Sequence, residues 1–192
     1  MLLFFYFNIF NTLMKFFLQI IILVLLVTCK YKNPKTDIHE SSIIGNKIDR
    51  EFQFEVIMDV VVKKNDKFHL FYKDLNAKDY SANRVLEKKI NGIDQIQTII
   101  FLIPAEVIPT GLRIDFGINY SQEPIALLGF KIRYDKNEFD FNENKFEQLF
   151  RPNKFVNYNE KTKLITTTSI QGQYDPNFES INLEEIVFSM LD

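Results

Sequence analysis

The chain has 192 residues, of which 46% are hydrophobic and 25% charged, and its formal net charge is −2. This length suits one globular domain of roughly 100 to 150 residues with a short targeting segment. We expect no nucleic-acid partner, because a near-neutral chain lacks the basic stripe that such partners need. The single cysteine excludes an intramolecular disulfide and a cysteine-built zinc site.

An apolar run from Phe16 to Val27 precedes Cys29 by one residue. Its length matches the hydrophobic region of a signal peptide, which holds about 7 to 15 residues. Met14 and Lys15 stand directly before the run, so translation is predicted to start at Met14 and the residues upstream to be a misread start. If residues 1–13 join the run, it reaches the roughly 20 residues of a membrane-spanning helix, and this alternative stays open.

The residues Leu26-Val27-Thr28-Cys29 resemble a lipobox, in which a small residue precedes the cysteine that becomes the lipidated N-terminus. Residues 1–28 are therefore the predicted lipoprotein signal peptide, and Cys29 is the predicted lipidation site. Buried lipid chains would anchor the protein, because each methylene contributes about 0.8 kcal/mol. The box is similar to those of Bacteroidetes lipoproteins. By that resemblance, the lack of an acidic run after Cys29 implies the periplasmic face of the outer membrane.

The mature chain begins with a polar tether, predicted over residues 29–47, and the folded domain follows. Apolar and polar residues alternate from Glu51 to Val62, which predicts a first strand with one buried face. The run KKNDK at 63–67 predicts a turn. Phe68 to Tyr72 is then predicted to be a second strand that pairs back on the first as a hairpin.

Three more strands are predicted before residue 135. Asn91-Gly92 marks a turn, and a third strand runs from Gln95 to Ile103. A fourth covers Leu112 to Gly117, and a fifth covers Ile125 to Tyr134. Gly129 interrupts the fifth strand and predicts a bulge or a close approach of two backbones.

The pattern changes after Asp135. We expect a short helix from Asn144 to Phe150, a strand from Lys163 to Ile170 and a helix from Asn182 to Leu191, where Asn182 and Glu185 resemble a capping box. Residues 136–192 are predicted to be a C-terminal extension packed on a sandwich core of residues 48–135. The expected fold is mainly β, an antiparallel jelly-roll-like β-sandwich with one or two short C-terminal helices, preceded by a signal helix.

The pieces FEVIMDV, LFY, QTIIFLIP, LRIDFG and IALLGFKIRY resemble the galactose-binding-like or carbohydrate-module-like jelly-roll domains of bacterial envelope proteins. The later run YDPNFES is similar to one that follows such domains in Bacteroidetes membrane proteins. The resemblance covers about half of the chain, and LRIDFG is its most distinctive part. It implies a sandwich whose end loops hold a glycan or a protein surface, sometimes with a structural calcium, but it transfers no binding residue.

Four residues around LRIDFG are the candidate ligand-binding residues: Arg113, Asp115, Asn119 and Tyr120. Sugar sites combine an aromatic platform with a few placed polar groups, and this set offers both. The alternative is structural. Arg113 and Asp115 stand two residues apart on a strand, so they share a face and can simply pair with each other.

The sequence offers little for catalysis. His39 lies in the predicted tether and His69 in a predicted strand, and the chain has no nucleophile-elbow, P-loop or dinucleotide motif. We therefore expect no catalytic residue and no cofactor. Five carboxylates are available for glycoside hydrolysis, but their spacing forces no two together: Asp59, Asp115, Glu123, Asp135 and Glu138. Residues 135–143 are rich in oxygen ligands suited to calcium but lack EF-hand spacing, so the first expectation is a solvated turn and the second a weak cation site.

Together these features predict a non-catalytic lipoprotein, anchored in the cell envelope through Cys29, whose β-sandwich binds an envelope glycan or an envelope protein. Two alternatives remain open. One is a structural or assembly lipoprotein that docks only a partner protein. The other is a carboxylate-dependent glycoside hydrolase.

Overall fold

A computed structural model of the protein describes residues 52–141 and 146–191. The predicted signal peptide, the lipidation site Cys29 and the whole tether lie outside these residues. Among the described residues, no helix is long and apolar enough to cross a bilayer. The elements are β1 (Phe54–Val62), β2 (Asp66–Lys73), β3 (Val85–Ile90), β4 (Ile93–Leu102), β5 (Gly111–Asp115), β6 (Ile125–Tyr134), β7 (Asn137–Asp140), α1 (Phe146–Leu149), β8 (Phe150–Pro152), β9 (Val156–Asn159), β10 (Leu164–Thr167), β11 (Asn177–Ser180) and α2 (Leu183–Ser189).

The strands form two antiparallel sheets. The first sheet has the order β4-β1-β6-β10-β9, and β7 also pairs with β6. The second sheet has the order β3-β2-β5-β11-β8. Each sheet presents an apolar face to a shared core, as in a β-sandwich. The prediction of a mainly β, antiparallel fold with two short helices near the C-terminus is confirmed at this level.

Phenylalanine rings fill much of the core. Phe130 and Phe178 are almost fully buried, and both make edge contacts with the ring of Phe146, at centroid distances of 5.3 Å. Phe130 belongs to the first sheet and Phe178 to the second, so Phe146 of α1 joins the two layers. Edge-to-face aromatic pairs contribute about 0.5 to 1.5 kcal/mol beyond the burial of their area.

The predicted hairpin between β1 and β2 is wrong. Both strands lie close to their predicted bounds, but β1 pairs with β4 and β6, whereas β2 pairs with β3 and β5 in the other sheet. The link 63–65 therefore crosses from one sheet to the other. The reason is that both strands have one apolar face: Met58 and Leu70 are fully buried, and facing sheets bury both against each other.

The residues after 135 belong to both sheets, whereas the sequence predicted an extension packed on a finished sandwich. β7, β9 and β10 extend the first sheet, and β8 and β11 extend the second. Of these strands only β10 is predicted by the sequence. The other four have three or four residues each, which is too short for an alternating pattern to stand out.

α2 forms where a helix was predicted, but the predicted capping box is wrong. Asn182 adopts a left-handed conformation with φ of 51° and ψ of 34°, and its side chain makes no capping hydrogen bond. A capping residue normally has an extended backbone, from which its side chain reaches the second or third amide of the helix. The helix is instead held by Leu183 and Val187, which are buried in the core.

Gly129 lies beside a β-bulge, as predicted. Asp59 of β1 pairs with Gly129, but the next residue, Val60, pairs with Leu127. Leu128 is therefore the extra residue of the bulge. The close approach at Gly129 involves a side chain and not a second backbone, because a Cβ there would lie 3.0 Å from Oδ2 of Asp59.

The strand register defines two ends of the sandwich. β1 starts at Phe54, opposite Tyr134, and runs to Val61, opposite Ala126. We call the end where β1 starts the entry end. We call the other end, formed by the links 63–65, 91–92 and 116–124, the distal end. The chain thus enters the domain at the end opposite these three links.

Candidate functional site

A groove of about 390 Å³ lies on the outer face of the second sheet. We call it the Arg113 groove. Its apolar wall is formed by Phe71, Ala82, Val85, Ile118 and Tyr174. Its polar groups are His69, Arg113, Asp115 and Asp175.

The alternation of β5 creates the polar side of this groove. Leu112, Ile114 and Phe116 are fully buried in the core, so Arg113 and Asp115, which alternate with them, face outward. On the neighbouring strand β2, Phe71 pairs with Arg113 and His69 pairs with Asp115. The register therefore brings an aromatic ring and an imidazole beside the guanidinium and the carboxylate.

Arg113 is held by two carboxylates. Its Nε donates to Oδ1 of Asp115 at 2.8 Å, and its Nη2 donates to Oδ2 of Asp115 at 3.0 Å and to Oδ1 of Asp175 at 2.6 Å. The guanidinium carbon also lies 5.2 Å from the centre of the Phe71 ring. The bidentate pairing with Asp115 fixes the plane of the guanidinium.

Burial and charge shift the pKa values of this pair. Burial raises the pKa of the Asp115 carboxyl above its ordinary value, although the adjacent Arg113 guanidinium opposes the shift. For Arg113, burial acts to lower the pKa, but the Asp115 and Asp175 carboxylates outweigh it and the pKa is raised. The guanidinium therefore keeps its charge in the groove.

The Arg113–Asp115 pair expected from the structural alternative is present, yet it leaves part of the guanidinium free. The three hydrogen bonds of Arg113 use Nε and Nη2. Nη1, with its two N–H donors, has no partner in residues 52–141 and 146–191. No fully buried side-chain nitrogen or oxygen in the same residues lacks a partner, and the Arg113 side chain is 22% exposed, so Nη1 keeps some accessible surface.

Two tyrosines border the groove near the distal end. The rings of Tyr120 and Tyr174 contact each other with a centroid distance of 4.7 Å and an angle of 38° between their planes. Tyr174 is fixed, because its hydroxyl donates to the Asn119 carbonyl oxygen at 3.0 Å and lies 2.8 Å from Oγ1 of Thr167. Burial raises the pKa of Tyr174. Tyr120 is 68% exposed, so it offers an accessible ring beside the groove.

Asn119 holds the distal link together and does not line the groove. Its Nδ2 donates to the Asn65 carbonyl oxygen at 3.1 Å, and its Oδ1 accepts from the Ser121 amide at 3.0 Å. Of the four residues predicted for ligand binding, the structure thus brings Arg113 and Asp115 into the groove and Tyr120 to its border.

Asp66 holds the distal end together, although it is not among the residues predicted for the site. Its carboxylate is buried and accepts hydrogen bonds from the amides of Ile118 and Asn119, at 2.8 and 3.2 Å, and from Nε2 of Gln122 at 2.8 Å. The 116–124 link is therefore tied to the start of β2. Asp66 lies within the predicted lysine-rich turn 63–67, and nothing in the sequence distinguishes it from a solvated turn residue.

The carboxylates considered for hydrolysis are engaged on separate elements. Asp59 accepts from Oγ1 of Thr98 at 2.6 Å, and Glu138 accepts from Nζ of Lys131 at 2.9 Å. Glu123 lies 3.9 Å from Nζ of Lys64. Asp135 follows β6, with a φ of 51°.

The oxygen-rich segment 135–143 lies only partly within the described residues. Lys131 contacts both Glu138 and Asp140 of this segment, at 2.9 and 3.6 Å. In the described ranges there is no group of three or more His, Cys, Asp or Glu side chains that could hold a metal ion. Residues 142 and 143 fall in the gap between those ranges.

The groove offers recognition chemistry: a fixed guanidinium with two free donors, two carboxylates, and aromatic and aliphatic walls. Small-molecule sites have this composition, with mostly apolar walls and a few placed polar groups. In comparisons with known proteins, no family model, curated protein or solved structure matches the chain.

Proposed function

We propose that this protein is a membrane-anchored lipoprotein whose β-sandwich binds an envelope glycan in the Arg113 groove without catalysis. The observation that carries the proposal is the open Nη1 of Arg113, held in place by Asp115 and Asp175 beside aromatic rings. The volume of about 390 Å³ falls in the range of small-ligand sites, roughly 300 to 1,000 Å³.

The aromatic side chains support a sugar ligand. Sugar rings carry apolar C–H faces that pack on aromatic rings, and the exposed ring of Tyr120 lies against Tyr174 at the border of the groove. The chain contains no Trp, so tyrosine and phenylalanine rings serve as the platform. Phe71 contributes to the floor beneath the guanidinium of Arg113.

Rigid links at the distal end favour binding, because a site that is already ordered loses less entropy when it takes up a ligand. Asp66 ties down the 116–124 link, and Lys64 donates from Nζ to the Ser121 carbonyl oxygen at 2.7 Å. The Asn65 side chain accepts a hydrogen bond from the Gly92 amide at 2.7 Å, which ties the link 91–92 to the link 63–65. These bonds hold the border of the groove in one arrangement.

The lipid anchor on Cys29 is supported by the apolar run and the lipobox alone. We expect the periplasmic face of the outer membrane as the location.

The jelly-roll topology is also part of the proposal. Consecutive strands repeatedly change sheet: β1 and β2, β3 and β4, β4 and β5, and β5 and β6 all lie in different sheets. Such crossing connections are typical of double-sheet jelly rolls and not of meanders.

A glycan array tests this function directly. The full chain in detergent would be applied as wild type, as Arg113→Ala and as Arg151→Ala, a control that removes an exposed arginine of the same sheet. We expect binding to at least one envelope glycan, a loss of about tenfold or more in Arg113→Ala, as when a charge-assisted hydrogen bond is lost, and no change in Arg151→Ala. Absence of binding at millimolar sugar would contradict the proposal.

A second function is favoured by the outer face of the first sheet. This face carries exposed apolar side chains, including Ile96, which is 64% exposed, and Leu128, which is 43% exposed. Apolar groups on an outward sheet face can mark a protein-docking surface. Photo-crosslinkers placed at these two positions in cells would capture a specific envelope partner if the domain is an assembly factor, and none if it is not.

A further inference from the structure

The charges of the Arg113 groove lead to an inference about its ligand class, which rests on the proposed function and deepens it. We propose that the groove binds neighbouring hydroxyl groups of an uncharged sugar and rejects anionic sugars. Three features carry this inference: the balance of charge around Arg113, the hydrogen-bonding capacity that remains free, and the placement of the aromatic rings.

The charge balance is negative. One guanidinium, Arg113, lies between two carboxylates, Asp115 and Asp175. His69 and Tyr174 are the other titratable groups of the groove. His69 contacts a third carboxylate, Glu87, at 3.3 Å, but Lys67 balances Glu87 at 3.1 Å, so the excess negative charge comes from Asp115 and Asp175. A uronic acid, sialic acid or phosphate group would meet a guanidinium whose charge is already matched and a carboxylate in excess. Like charges at an interface select against such a ligand.

The free hydrogen-bonding groups match a hydroxyl better than an anion. Nη1 of Arg113 offers donors, and the carboxylate of Asp175, whose side chain is 51% exposed, offers acceptor sites beside it. A hydroxyl group both donates and accepts, so two neighbouring hydroxyls can satisfy the guanidinium and the carboxylate together. An anionic oxygen only accepts, and an ammonium group only donates and would compete with Arg113 for the carboxylates.

The aromatic rings limit the shape of the ligand. The Phe71 ring packs under the guanidinium at 5.2 Å, and the tilted Tyr120–Tyr174 pair borders the groove near the distal end. A flat ring with one apolar face can lie on the exposed tyrosine while its hydroxyl edge reaches Arg113. A flexible acyclic polyol would lose more conformational entropy on binding there.

The test compares neutral oligosaccharides with acidic ones of matched length and linkage, using the full chain in detergent at low salt. The informative variant is Asp175→Asn, which removes one negative charge and keeps the size of the side chain. The control is Glu123→Gln, which removes an exposed carboxylate outside the groove. Circular dichroism of each variant checks that the domain remains folded.

We expect the wild type to bind neutral sugars and to bind acidic counterparts at least about tenfold more weakly, the ratio that 1.4 kcal/mol produces. Asp175→Asn should tighten acidic-sugar binding by about tenfold, whereas Glu123→Gln should leave the ratio unchanged. Added salt should reduce the difference in affinity between neutral and acidic sugars in the wild type, because it screens the repulsion between the carboxylates and an acidic sugar.

The outcomes separate the two claims. If the wild type binds acidic sugars as tightly as neutral ones, or if Asp175→Asn leaves the ratio unchanged, the ligand class inferred here is wrong while the glycan-binding function stands. If the wild type binds no sugar in either set, the proposed function itself is wrong.

Discussion

Replacing Gly117 by alanine probes the contact that orders the distal end. Gly117 has a φ of +99°, and a Cβ there would lie 2.2 Å from Oδ2 of Asp66 and 2.5 Å from its Cγ. The backbone conformation alone costs an alanine about 1 to 2 kcal/mol. The methyl group must also displace the Asp66 carboxylate, and each hydrogen bond to a charged group that is lost removes about 1.5 to 3 kcal/mol.

Gly172→Ala is the matched control for this substitution. Gly172 also has a positive φ, +76°, but a Cβ there would meet nothing within 4 Å. This variant therefore carries the backbone strain without the clash. We expect Gly117→Ala to lower the free energy of unfolding by about 3 to 4 kcal/mol and Gly172→Ala by only about 1 to 2 kcal/mol.

Thermal unfolding followed by circular dichroism measures the difference. At about 2 to 4 °C per kcal/mol for a domain of this size, Gly117→Ala should melt roughly 5 °C below Gly172→Ala. Equal melting temperatures for the two variants would refute the argument that Asp66 and Gly117 fit against each other and stabilise the 116–124 link.

Three further predictions concern the core, the response to alkaline pH and the anchor. Phe178→Ala should cost about 3 to 5 kcal/mol in urea unfolding, because Phe178 is fully buried; a loss below 1 kcal/mol would place that ring outside the core. Burial raises the pKa of Tyr80 to about 12 from 10.0. The folded state therefore binds more protons between these values, and stability should fall as pH rises from 10 to 12, less steeply in Tyr80→Phe; equal slopes would contradict this. The wild type should show a lipid-mass species that begins at Cys29 and partitions into detergent, and Cys29→Ala should abolish it. An unprocessed, full-length chain in both proteins would favour a membrane-spanning anchor.

The alternating strands could be predicted from the sequence. β6 has its predicted bounds. Arg113 and Asp115 face outward because they alternate along the strand with the buried residues Leu112 and Ile114. Period-2 burial is a local property, so it can be recognised without knowledge of the partners of a strand. The bulge at Gly129 was predictable because a glycine inside a strand pattern is also a local signal.

The pairing of strands could not be predicted, because it depends on contacts between distant residues. A short polar link after β1 can form either a hairpin or a crossing from one sheet to the other. The crossing forms because β1 and β2 bury their apolar faces against each other across the two sheets. Asp175 lies 62 residues after Arg113 in the chain, so no local sequence pattern could predict that it contacts Arg113 in the groove. The role of Asn119 in the distal link likewise depends on Asn65, on another strand connection.

The central claim is that the Arg113 groove is the ligand site, and a titration by nuclear magnetic resonance tests it most directly. The labelled full chain in detergent would be titrated with a neutral oligosaccharide that the glycan array identifies. We predict amide shifts concentrated on β2 and β5, around Phe71, Arg113 and Asp115. Shifts concentrated on the outer face of the first sheet, around Ile96 and Leu128, would contradict the account.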